Sequence, residues 1–149
     1  MLRLPIATLA LAAFATGAVL AREPPGAPCL QPQTVALEGG PAGEIVGTYH
    51  GCVSSGGLER PVITTFALGP DGGLTGRYVF WDEEGESPGT LTDIRYRGEA
   101  TFEATWNDKH GSGTLVVAFF NRFQMFSGNW GSAGGAVDPR FGWTGQRVQ

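Results

Sequence analysis

The sequence predicts an all-β protein: one domain built as an eight-stranded antiparallel up-and-down barrel. Three observations carry that expectation. Apolar and polar residues alternate with period two over eight short runs. Twenty-four glycines and ten prolines interrupt the chain too often for helices of three turns. A phrase also occurs twice, WDEEGESPGTL at 81–91 and WNDKHGSGTL at 106–115, each a tryptophan, a polar turn and a returning Gly-Thr-Leu.

The first 21 residues stand apart from the barrel. MLR is a short basic start, an apolar run follows, and Val19-Leu20-Ala21 offers small residues for cleavage before Arg22. That is the pattern of a secretory signal peptide, and the run is short for a membrane-spanning helix of about 20 apolar residues. No second apolar run follows, so no membrane span is expected in the mature form, and localisation is expected to be periplasmic or secreted. Residues 22–42 form a Pro/Gly-rich segment, and 43–149 the barrel domain.

Two cysteines remain, Cys29 and Cys52. In an oxidising compartment a Cys29–Cys52 disulfide is expected. It would close a 24-residue loop and stabilise by roughly 3 kcal/mol in the chain-entropy model. Without Arg3 the mature chain has nine basic and fourteen acidic residues, a net of −5, and only one lysine, Lys109. Nucleic acid and anionic membranes are therefore poor partners.

The expected strands are, in order, EIVGTYHG (44–51), RPVITTFAL (60–68), LTGRYVFW (74–81), GTLTDIRYRG (89–98), EATFEATW (99–106), GTLVVAFF (113–120), FQMFSGNW (123–130) and FGWTGQR (141–147). In EATFEATW, Ala100, Phe102, Ala104 and Trp106 share one face, while Glu99, Thr101, Glu103 and Thr105 share the wet one. Pro70-Asp71-Gly72-Gly73, the two repeated turns and Asn121-Arg122 supply hairpin connections. The repeat is thus one hairpin written twice, with tryptophan expected to close the core beside each turn. Eight short strands hide their edges by closing, leaving an interior that is either filled or holds one small ligand. An open meander of stacked hairpins is the alternative.

The layout GTY (47–49), LTGRY (74–78), TFEATW (101–106) and WTGQR (143–147) resembles the avidin-type, calycin-like barrels, and so implies an avidin- or lipocalin-like shape. In that family Ser, Thr, Tyr and Asp side chains bind biotin between tryptophans, and Tyr78 matches the tyrosine after LTG. Phe80 stands where a small hydroxyl residue would follow, and GNW lacks the expected Trp-Ser-Gly wording. The resemblance therefore implies the fold without biotin binding. FEATWNDKHGSGTL is also similar to a MORN-type hairpin repeat.

Catalytic patterns are thin. GESPG (85–89) has the spacing of a nucleophile elbow, but Pro88 lacks the N–H an oxyanion hole needs there. His50 and His110 are the only histidines, and neither has a nucleophile partner if Cys52 is bridged. They are too few for a zinc site, and Asp82-Glu83-Glu84-Gly85-Glu86 reads as a solvated turn, so no metal and no cofactor are expected. Glu99 and Glu103, four apart on a strand, lie roughly 13 Å apart, too far for paired-acid hydrolysis.

Aromatic residues remain. Tyr49, Tyr78, Trp106, Trp130 and Trp143 are expected to line a barrel mouth, with Gln124, Asn129 or Arg147 orienting a ligand. The expected function is non-enzymatic binding of a small apolar or aromatic ligand. The alternative is a filled barrel serving as a structural or adaptor module whose outer face binds a protein partner.

Overall fold

The computed structural model describes residues 42–148. The signal segment, most of the Pro/Gly-rich segment and Cys29 lie outside the described residues. A short 3-10 turn, η1 (Ala42–Ile45), leads into eight strands: β1 (Gly47–Ser55), β2 (Leu58–Leu68), β3 (Leu74–Asp82), β4 (Gly85–Gly98), β5 (Thr101–Asp108), β6 (Gly111–Phe120), β7 (Met125–Ser132) and β8 (Gly142–Arg147). Every neighbour is antiparallel, and β1 closes the sheet against β8 through Tyr49↔Arg147, His50↔Gln146 and Val53↔Trp143. Each of the eight expected runs is a strand, and the barrel is closed rather than an open meander. Closure removes both sheet edges, which is why so many short strands can coexist.

Strand boundaries differ from expectation at the turns. The first strand, expected to end at Gly51, continues to Ser55 and reverses through Gly56-Gly57, both at positive φ. That is the geometry a tight two-residue hairpin requires. Glu99 and Ala100 belong to the β4–β5 turn, with φ of 49° and 55°, so β5 begins at Thr101. The expected inward face survives: Ala100, Phe102, Ala104 and Trp106 are all buried. Asn121, Arg122 and Phe123 all take left-handed backbone, so β7 begins only at Met125. This resolves the apolar run Phe123-Gln124-Met125-Phe126. Gln124 is exposed, while Phe123 enters the core from the turn and Phe126 from β7.

The two ends of the barrel differ. At one, Tyr49, Phe66, Phe102, Phe119 and Phe126 meet edge to face, with ring centroids such as Tyr49–Phe126 at 5.4 Å and Phe102–Phe119 at 5.6 Å. Ile45 and Phe123 complete that cluster, so this half is filled by side chains. At the other end lie the β1–β2, β3–β4 and β5–β6 turns and the β7–β8 loop, and here the interior opens.

The repeated phrase is out of step with its own geometry. Asp82-Glu83-Glu84-Gly85 and Asp108-Lys109-His110-Gly111 are equivalent hairpin turns, each closed by an Asp side chain accepting the N–H two residues on, at 2.9 and 2.8 Å. Trp81 directly precedes its turn, whereas Trp106 stands two residues before its own. One residue flips a side chain to the other face of a strand. Trp106 therefore joins the core and Trp81 does not, although Trp81 is buried on the outer face. The expectation that Trp81 closes the core is corrected on that ground; Phe80 takes the inward place. The two Gly-Thr-Leu copies do agree. A Cβ on Gly89 would sit 2.2 Å from Tyr78 Cζ, and one on Gly113 would sit 1.8 Å from the Gly131 carbonyl oxygen. Both glycines let the sheet close over an aromatic neighbour.

Candidate functional site: the barrel mouth

The open end forms a pocket of about 50 Å³ lined by Val53, Ser54, Ser55, Tyr78, Phe80, Trp106, Asp108, His110, Trp130 and Trp143. Four of the expected ligand-facing aromatics, Tyr78, Trp106, Trp130 and Trp143, therefore converge there. They come from β3, β5, β7 and β8, strands whose inward positions meet only once the sheet closes.

The walls are rigidly held. Trp106 Nε1 donates to the Gly131 carbonyl at 2.9 Å, Trp130 Nε1 to the Ser54 carbonyl at 3.0 Å, and Trp143 Nε1 to Thr64 Oγ1 at 3.1 Å. Trp130 packs edge-on to Trp106 and stacks on Phe141, with centroids 5.3 and 4.6 Å apart. Tyr78 meets Trp143 at 4.7 Å. Its hydroxyl donates to Asp108 Oδ2 at 2.8 Å. Burial pushes the Tyr78 phenol well above its ordinary range, and the hydrogen bond and charge of Asp108 push it further. The phenol keeps its proton and remains a donor to the carboxylate.

The rim is charged. Lys109 Nζ reaches Asp82 Oδ2 at 2.9 Å and Glu84 Oε2 at 2.7 Å, tying the two repeated turns together. His110 Nε2 lies 3.1 Å from Asp82 Oδ2, its ring 6.0 Å from Phe80. The Lys109 hydrogen bond above all, with His110 assisting, lowers the Asp82 carboxyl to about 2.

The other expected site residues are elsewhere. Tyr49 is wholly buried at the filled end, its one hydroxyl proton shared between the Ile45 and Phe123 carbonyls, 3.1 and 2.9 Å away. Gln124 is exposed in the turn at that same end. Asn129 Nδ2 donates to the Pro139 and Phe141 carbonyls, fastening the β7–β8 loop. Arg147 is also at the filled end, bonded to the Val46 and Glu44 carbonyls. Cys52 is buried beside Pro61, and its expected partner Cys29 is outside the described residues.

Phe80, Asp108 and His110 were not among the expected site residues. Asp108 carried a signal, the Asp-x-x-Gly turn it shares with Asp82, but nothing in that motif places its second oxygen on Tyr78. GESPG lies within a hairpin on β4, with Ser87 facing the interior, so no strand-to-helix elbow exists there. Among the described residues no three His, Cys, Asp or Glu side chains converge to hold a metal, and no helix is long and apolar enough to cross a membrane.

A larger depression, about 470 Å³, lies on β1–β4 and is lined by residues including Thr48, Ile63, Thr65, Arg77, Val79 and Pro88. Most of these alternate outward, and they lack the aromatic convergence of the mouth. Size alone favours this depression, but chemistry favours the mouth, where few polar groups stand among rigid apolar walls.

No known family, no characterised protein and no solved structure matches the chain.

Proposed function

We propose that this is an exported, non-enzymatic binding protein that takes a small apolar or aromatic group into its barrel mouth. The single observation behind the reading is the convergence of Tyr78, Phe80, Trp106, Trp130 and Trp143 on one open pocket. The proposal includes removal of residues 1–21 and a Cys29–Cys52 disulfide holding the Pro/Gly-rich segment to β1. Kinship to the avidin-type, calycin-like barrels is proposed for the shape. Its first and last motifs, GTY (47–49) and WTGQR (143–147), lie on the strands that close the barrel.

The pocket is small. A buried apolar cavity of about 150 Å³ accommodates benzene, whereas this one offers about 50 Å³ and opens outward. It holds the tip of a ligand rather than a whole one. The second reading, a filled barrel whose outer face binds a protein, draws on the outer depression, where Ile63, Val79 and Pro88 give an apolar floor.

Native mass spectrometry of the mature protein from its own host, beside the denatured mass, tests both. Added small-molecule mass that is lost on unfolding is the expected result, and the denatured mass reports signal removal and loss of two hydrogens. A bare chain that also leaves the Trp106, Trp130 and Trp143 fluorescence unmoved by small aromatic probes would reject the mouth and favour the outer face.

A further inference from the structure

The mouth has a polarity that its aromatic walls do not by themselves specify. We infer that its ligand is a compact organic cation, a methylated ammonium head group received by the aromatic walls and Asp108. This rests on the reading of the mouth as a binding site and puts a charged head group in place of the neutral apolar or aromatic one.

The donor inventory disfavours an anion. All three indole N–H groups in the pocket are spent on Gly131, Ser54 and Thr64, and the Tyr78 hydroxyl is spent on Asp108. The Ser54 hydroxyl accepts the Gly142 N–H at 3.2 Å, which leaves its own proton, with Ser55 and His110 at the rim, as the side-chain donors still open. What the walls present to a ligand is π surface, and an aromatic ring is negative on its face.

Charge points the same way. Lys109 is committed to Asp82 and Glu84, and Arg60 to Glu83. Asp108, half-buried at the pocket edge, receives only the neutral Tyr78 hydroxyl and the His110 backbone N–H, and among the described residues it enters no ion pair. A carboxylate withdrawn from water is costly unless a positive charge meets it. A cation placed beside Asp108 would stand over aromatic faces that favour ammonium groups. Size agrees, because about 50 Å³ suits a small head with its tail left outside.

The test compares isosteres. Binding of protonated N-methylethanolamine and of choline to the mature protein is measured by tryptophan fluorescence and calorimetry at low salt. Each is set beside the neutral alcohol in which carbon replaces nitrogen. The cations are expected to bind about tenfold tighter than their alcohols. Asp108→Asn, whose amide oxygen keeps the turn while its N–H donates to the Tyr78 hydroxyl oxygen, should bring that ratio within about threefold. Alcohols binding as well as the cations would overturn the inference while sparing the aromatic mouth. Discrimination that persists in the Asp108→Asn protein would overturn the role of Asp108. Neither class binding at about 50 mM would overturn the inference and the mouth together.

Discussion

The guanidinium of Arg147 lies 4.9 Å above the ring of Tyr49, its partner across the seam where β8 meets β1. The same group donates to the Tyr49 hydroxyl and to the carbonyls of Glu44, Val46 and Phe123. One side chain thus joins the entry turn, the closing strand and the β6–β7 turn, and plugs the filled end of the barrel.

Arg147→Lys should therefore cost about 2–4 kcal/mol, since a compact ammonium cannot reproduce a planar fork spread over several carbonyls. Urea unfolding with an unchanged slope checks this. A loss below about 0.5 kcal/mol would show that the turn holds without its plug.

Alkaline pH should weaken the fold through two tyrosines. Burial lifts Tyr49 to about 12, with Arg147 pulling the other way, and burial followed by Asp108 lifts Tyr78. Below pH 10, the ordinary value, both phenols are protonated folded and unfolded, and their contribution is complete. Above it the unfolded chain releases protons that the folded chain keeps. Stability should fall by about 1.4 kcal/mol per pH unit for each tyrosine. Urea midpoints between pH 9 and about 12, for wild type and Tyr78→Phe, measure it. An identical slope in the variant would remove Tyr78 from the account.

Ser87 has no exposed surface, and its hydroxyl has no hydrogen-bond partner in the barrel wall. An unpaired buried hydroxyl is destabilising, and alanine nearly matches its shape. Ser87→Ala should leave stability unchanged or raise it by up to about 1 kcal/mol in thermal and urea unfolding. A clear loss would mean that the hydroxyl is satisfied in solution.

The eight strands were legible because a half-wet sheet writes its alternation into the chain. Their ends were less so. Asn121-Arg122-Phe123 makes a left-handed turn without glycine, and at Glu99-Ala100 the one glycine, Gly98, stands just before the turn rather than in it. The mouth was legible in part: tryptophan at strand ends pointed to it, but whether a tryptophan faces in depends on the distance to its turn. Trp81 and Trp106 differ there by one residue. Tyr49 looked equivalent to Tyr78, yet β1 places it beside Arg147 at the opposite end of the barrel.

By itself, then, the sequence determined an all-β meander, its strand count and the aromatic residues available to it, because those follow from local period and turn chemistry. Only the tertiary structure decided closure, the filling of one end, and the meeting of Asp108 with Tyr78 beneath three tryptophans. Those contacts join residues 30 or more positions apart, such as Tyr78–Asp108 and Trp130–Ser54. Tyr78 and Asp108 meet because the β3–β4 and β4–β5 registers set both opposite Gly89, and Trp130 reaches Ser54 through the register in which the last strand meets the first; no local pattern encodes either.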